Sequence, residues 1–281
     1  MSRRAELEQR MGRLGEISNI MAAMKTMALI ETRKYGRFMA HQLRLVESIE
    51  AAAADFLAFH PAYRGDGPGL DGNRHILILV GSERGFCGDF NETVAAALEL
   101  FPKPEPRLIV VGRRLAGKLE NHPRLLEWRD GPNVAEEVRP VLDGLMDKLH
   151  RLQAEPPAWT RLSVLAHDPE GAVAAHTVLP MTPPAAPGRP YPPRLNLDPE
   201  AFFGGLADHF LIAKLPCLFY GSLMAENRRR LEHMERALSR MHGKIEDLGR
   251  RRNALRQEEI TEEIEVILLS AESLLDGVDP S

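Results

Sequence analysis

The sequence predicts an α/β protein with a long helix at each end of the chain and a small α/β domain between them. Three observations predict it. Residues 3–60 contain no proline and repeat apolar residues at steps of four and three. The chain after Pro199 repeats the pattern at steps of three and four. Between these regions, short apolar runs alternate with helical stretches, the arrangement that gives a largely parallel sheet.

Composition sets outer limits. The 281 residues suffice for one or two domains with a sizeable core. A net charge of −4 offers no basic face, so no nucleic-acid partner is expected. Cys87 and Cys217 stand 130 positions apart, which gives neither a disulfide framework nor metal spacing. A reducing cytosol is the expected compartment. The opening MSRRAELEQR has no apolar signal core. The longest apolar candidate for a membrane span, Phe210 to Ala225, holds Lys214 and Pro216 and is shorter than the roughly 20 residues a span requires. No direct membrane insertion is expected.

The first helix follows a seam: Leu7, Met11, Leu14, Ser18, Met21, Lys25, Ala28, Thr32, Tyr35, Met39, Gln42, Val46, Ile49, Ala53, Phe56. Eleven of these 15 positions are apolar. A heptad seam of this length predicts one helix of roughly 80 Å, longer than a globular helix usually runs. The middle begins with HILILVGSERGFCGDFNETV, His75 to Val94. Its apolar run Ile76–Val80 reads as a strand, Gly81–Gly88 as a turn, and Asp89 or Asn91 as a helix cap. Leu108–Val111, Leu162–Leu165 and Ala172–Leu179 read as further strands. Arg113–Asn121 and Ala135–Gln153 read as helices, the second disturbed by Pro140. Residues 74–198 are therefore expected to form a small Rossmann-like α/β domain. Prolines at 102–106 and 180–199, and the glycine-rich Tyr63–Asn73, mark irregular connections.

In the last region Asp198 is placed to cap a helix with Pro199 at its first position. Pro216 is expected to kink or break it. Leu231, Met234, Leu238, Met241, Ile245 and Leu248 form a seam that Arg252 interrupts and Leu255 resumes. Ile260, Ile264, Ile267, Ala271 and Leu274 continue one residue out of phase, which rotates the contact stripe. Residues 1–60 and 199–281 can pair with each other only antiparallel, or else pack on other chains.

Candidate chemistry is sparse. Gly81, Gly85 and Gly88 fit neither a Gly-Lys-Ser/Thr loop nor Gly-x-Gly-x-x-Gly, and Arg84 is the only cation. The turn reads as a tight strand-to-helix connection with Cys87 as a small buried filler. The ten histidines show no ligand spacing, and His167 with His176 reads as a chance pair rather than a zinc site. Glu258, Glu259, Glu262 and Glu263 form a solvated helix face rather than paired catalytic acids. No cofactor, metal or catalytic residue is expected. From Arg228 to Arg256 there are ten Lys/Arg and four Asp/Glu; from Glu258 onward there are eight Asp/Glu and no Lys/Arg. That layout suits a solvated face, or a basic band meeting an acidic partner.

Three stretches carry a resemblance. NALRQEEITEEIEVILLSAES, Asn253 to Ser273, resembles the end of the gamma subunit of F-type ATP synthases, with Asn253, Arg256, Gln257, Ile260, Thr261, Glu263 and Ala271 at the family's motif positions. SERGFCGDFN, Ser82 to Asn91, resembles that family's Ser-x-Arg-Gly-Leu-Cys-Gly-x-x-Asn. Ile20, Ala23, Met24 and Ala28 are similar to its Ile-x-x-Ala-Met-x-x-x-Ala. The matches run in the family's order across nearly the whole chain. NIMAA at 19–23, Phe86, Asp89, Val266 and Ser270 depart from the pattern and mark a divergent bacterial branch. No cysteine-pair insert for thiol regulation is visible.

The resemblance implies a rotary central stalk. Its terminal helices would wind as a long antiparallel coiled coil inside a head of alpha and beta subunits. Its α/β foot would sit against the epsilon subunit and the c-subunit ring. The chain would then be non-catalytic within a proton- or sodium-transporting ATP synthase, peripheral to the cytoplasmic face of the bacterial inner membrane. Arg256, Gln257 and Met24 would contact beta, and Arg84, Gly85, Cys87 and Gly88 would form the foot-domain turn. Two other classes remain open on the residues: a stand-alone coiled-coil adaptor, and a nucleotide-using enzyme built on the α/β segment.

Overall fold

The proline-free start of the chain forms one helix, α1 (Arg3–Phe59). The computed structural model describes residues 3–64, 74–101, 103–156, 158–183 and 191–276, with side chains through Ser270 at the C-terminal end. The glycine-rich link at 65–73, the proline-rich 184–190 and the side chains of Ala271 and Leu274 lie outside the described residues. All 15 seam positions of α1 are buried or half-buried. After α1 come β1 (His75–Val80), α2 (Phe90–Glu99), β2 (Arg107–Val111), α3 (Arg113–Leu119), β3 (Leu125–Arg129), α4 (Val138–Ala154), β4 (Arg161–His167), β5 (Val173–Leu179) and α5 (Pro199–Asp276).

Contacts divide the chain into two units, Met1–Thr26 with Glu232–Ser281, and Met27–Leu231. These boundaries fall inside both long helices, whereas the sequence placed its domain limits at 60 and 199.

The unit of residues 27–231 is built on a five-stranded mixed sheet of order β3-β2-β1-β4-β5. β1 pairs parallel with β2 and β4, β2 pairs parallel with β3, and β5 is antiparallel to β4. β1 is buried along its whole length, as its unbroken apolar run requires of a strand covered on both faces. Ile76, Ile78 and Val80 face one core with α4 and the adjoining parts of α1 and α5. Leu77 and Leu79 face the other, with α2 and α3. The chain winds outward in opposite directions from β1 and β4, so the topological switch point lies between their carboxyl ends. α1 and α5 run antiparallel here: Phe56 stacks on Phe203 at 5.5 Å, and Glu50 pairs with Lys214 at 3.3 Å.

Two expectations about proline are corrected, and one strand is added. Pro140 falls in the first turn of α4, after a 3₁₀ turn at Ala135–Glu137, where its missing N–H is not needed. Pro216 lies inside α5 and does not break it, since the helix continues from Pro199 to Asp276. Its missing donor frees the carbonyl of Ile212, a residue exposed enough for water to take it. β3 was not foreseen; it is a short edge strand in which half-buried and exposed residues alternate. α5 is capped as expected, with the Asp198 carboxylate accepting the Glu200 N–H at 3.1 Å. One stretch of α5 is long and apolar enough to cross a membrane. Phe210, Leu211, Ala213, Leu215 and Phe219 of that helix belong to the sheet's core.

The other unit is an antiparallel helix pair. Lys25 meets Glu235 at 2.7 Å, Ser18 meets His242 at 3.2 Å, and Arg4 reaches Glu259 at 3.5 Å. A Cβ added at Gly249 would lie 3.7 Å from the Met11 methyl. The α1 members fall at seven-residue intervals, as a heptad seam dictates. Arg252 does not interrupt the seam; it and Glu259 are half-buried in phase with Leu248. The apolar residues that shift phase, Ile260, Ile264 and Ile267, are exposed by 45–65 %.

Candidate functional site

The turn after β1 closes on itself through side chains. The Ser82 N–H donates to Asn91 Oδ1 at 2.9 Å, and Asn91 Nδ2 donates to the Ser82 hydroxyl at 2.8 Å. The Cys87 thiol donates to the same hydroxyl at 3.3 Å. Asn91 therefore staples the turn instead of capping a helix. α2 begins after Asp89, whose side chain makes no cap and pairs with Arg229. Phe86 and Gly88 both take φ of 64°, the left-handed conformation. Gly81 is required by contact, since a Cβ there would fall 2.2 Å from Leu115 Cβ. Cys87 is buried with Phe90 and Ala225, and burial pushes its thiol above the ordinary range. Arg84 is exposed, and the carbonyl of Gly85 accepts from Arg230 Nε at 3.4 Å.

The carboxyl ends of β1 and β2 are where an open α/β sheet offers backbone donors to an anion. Here the chain supplies the anion. The Glu83 carboxylate accepts the Arg113 N–H at 3.0 Å and the Gly131 N–H at 2.8 Å. The Arg113 guanidinium lies 3.3 Å from its other oxygen. The switch point is likewise filled. His167, at the end of β4, stacks on Phe90 at 3.9 Å and meets the Thr93 hydroxyl at 3.0 Å. Burial holds His167 down to about 4, with a smaller push from Arg229. His176 pairs across the ladder with Val164, so the two histidines do not converge. Among the described residues no three metal-ligating side chains cluster.

α5 delivers four polar side chains to this end of the sheet. Glu226 and Arg230 form a buried ion pair. Arg230 Nη1 also donates to Asn227 Oδ1 at 2.5 Å. Arg229 Nη2 donates to the Gly171 carbonyl at 3.2 Å. Burial pushes the Glu226 carboxyl up, with Arg230 opposing. In the sequence these arginines begin the stretch that suits a solvated face or a basic band meeting an acidic partner. The one available signal was the i, i+4 spacing of Glu226 and Arg230 on a helix. Glu83 carried no signal, because its donors come from Arg113 and Gly131, far along the chain.

In the helix pair, Arg256 and Gln257 are exposed and Met24 is half-buried. Lys25 holds the neighbouring Glu235 carboxyl below its usual range through a hydrogen bond. Since Lys25 stands opposite Glu235, Met24 lies about 20 residues of helix from Arg256, roughly 30 Å at 1.5 Å per residue. The three expected contact residues thus form two separate places.

Comparison with known proteins follows the same lines. The family described as ATP synthase matches residues 3–274. An ATP synthase gamma chain from Geotalea daltonii is 26 % identical over 218 residues, 71 % of this chain and 73 % of its own. One from Beutenbergia cavernae is 25 % identical over 310 aligned positions, covering 95 % and 96 %. A chain in the Euglena gracilis mitochondrial ATP synthase, solved as OSCP/F1/c-ring in rotational state 3, is similar with a TM-score of 0.64 at 15 % identity, covering 99 % of this chain and 96 % of that one. The structural likeness speaks to the fold. The family match spans the helices and the sheet alike, and the chain belongs to the ATP synthase gamma family.

Proposed function

We propose that this chain is the central rotary stalk of an F-type ATP synthase. It couples ion flow through a c-subunit ring to ATP synthesis or hydrolysis in an alpha/beta head. The observation that carries this reading is α5 running past the start of α1 with Ile260, Ile264 and Ile267 exposed. An apolar face of this kind needs cover from a partner. A sleeve of alpha and beta subunits provides it, with Met24 at one level and Arg256 and Gln257 at another. The α/β unit then meets the epsilon subunit and the ring, and the chain stays peripheral to the membrane. Each stalk orientation favours a different state of each beta subunit by differential contact. Glu83 supports a non-catalytic role, since it holds the donors that a phosphate would need.

Co-expression with alpha and beta subunits tests the reading. The expected result is a complex whose ATP hydrolysis depends on this chain, while the chain alone binds no labelled ATP in equilibrium dialysis. A chain that forms no complex with alpha and beta when co-expressed with them, or that binds ATP at micromolar concentration alone, overturns it.

A further inference from the structure

A stalk that turns with its foot must keep its helices from rotating in the foot's grip. Apolar packing is non-directional. Charge-assisted hydrogen bonds have fixed directions and act at side-chain tips, roughly 5 Å from a helix axis. In the unit of residues 27–231 such bonds gather on the last turns of both long helices before the unit ends.

On α5 the turns holding Glu226 to Arg230 are held from two sides. Arg230 Nε donates to the Gly85 carbonyl at 3.4 Å, and Arg229 pairs with Asp89 and donates to the Gly171 carbonyl at 3.2 Å. The buried Glu226–Arg230 pair stiffens the helix side of these contacts. On α1 the same is done by the turn before α4. The Glu31 carboxylate accepts the Ala135 N–H at 3.4 Å and Lys34 pairs with Glu136, while the Tyr35 hydroxyl adds a neutral bond to the Asn133 carbonyl at 3.4 Å. Tyr35 stacks on Tyr220 of α5, with ring centroids 6.3 Å apart, which joins the two grips. Buried charge is a poor source of stability, because well-packed apolar residues of similar volume serve as well or better. Its presence at this level calls for another reason.

We infer that Glu226, Arg229 and Arg230 on α5, with Glu31, Lys34 and Tyr35 on α1, are positioning residues of a torque collar that locks the rotation of both helices to the α/β domain. The inference rests on the rotary reading above. Its test uses the whole complex in ion-tight vesicles, with ATP hydrolysis and ATP-driven ion uptake measured together. The variant Glu226→Leu/Arg230→Met replaces the buried pair by apolar side chains of similar size. The expected result is an unchanged or higher melting temperature, unchanged hydrolysis by the alpha–beta–gamma head, and a ratio of ion uptake to hydrolysis lower by about five- to tenfold, the size of an ordinary coupling between sites. An unchanged ratio overturns the collar. Asp89→Ala/Arg229→Ala, altering only the outer edge, carries the same expectation at smaller size should the first variant melt early. Failure of the parent chain to assemble with alpha and beta would instead refute the rotary reading, and the two failures are told apart at the assembly step.

Discussion

Replacing Glu83 by alanine should unfold the chain several degrees earlier. The carboxylate accepts two backbone N–H bonds, at 3.0 Å from Arg113 and 2.8 Å from Gly131, and its side chain is only 11 % exposed. Hydrogen bonds to a charged group contribute about 1.5–3 kcal/mol each. Arg113 lies on the exposed side, and water can replace its lost acceptor. Gly131 is buried, so its N–H is left with little to bond. One full bond and part of another give a loss of about 2–3 kcal/mol. For a chain of this size that corresponds to a fall in melting temperature of about 5 °C. Glu83→Gln keeps one acceptor oxygen and should fall between. Thermal unfolding followed by far-ultraviolet circular dichroism reads both. A Glu83→Ala chain melting within about 1 °C of the parent would mean these donors need no anion, and the account of the turn would be wrong.

Three other outcomes are expected. His167 titrates at about 4 when folded and near 6.5 when unfolded, so its contribution is complete above pH 6.5 and is lost as pH falls towards 4, about 3 kcal/mol in all. His167→Gln should flatten that part of a urea stability–pH curve, with His75, also held at about 4, accounting for the slope that remains; an unchanged slope would count against the assignment. Cysteines at Met11 and Gly249, in a Cys87→Ala/Cys217→Ala background, should cross-link within one chain, and links only between chains would refute the intramolecular pair. Arg256→Ala/Gln257→Ala should lower ATP turnover of the alpha–beta–gamma complex while helicity is kept, because both side chains are exposed and alanine is a strong helix former. Full turnover with intact assembly would show that beta is not contacted there.

The seam of α1 was legible because period alone decides which side is covered: Met21, Tyr35, Val46 and Phe56 are buried where the steps of four and three place them. Period does not say what does the covering. Met21 belongs to the helix pair and Val46 to the sheet unit, and nothing in the spacing separates the two. The strands of the sheet's centre were legible because burial on both faces demands unbroken apolar runs. β3 was not, because an edge strand such as Leu125–Arg129 keeps polar residues on one side and reads as a loop after His122–Pro123. The turn at Gly81–Gly88 could be read as a turn because its glycines lacked any phosphate signature. Its anchoring by Arg229 and Arg230 could not, since an inward arginine and a solvated one look alike until the opposing loop is placed.

Holding Glu83 on the donors at the sheet's end has a consequence for a member of an ATP synthase, which works amid its own nucleotides. A protein stabilised by a diffusible anion gains or loses stability as that anion's concentration changes. An anion carried on the chain cannot be diluted, exchanged or hydrolysed. The donors of Arg113 and Gly131 therefore stay occupied whether the cell is rich or poor in ATP, and the stability that they contribute does not follow the quantity that an ATP synthase turns over.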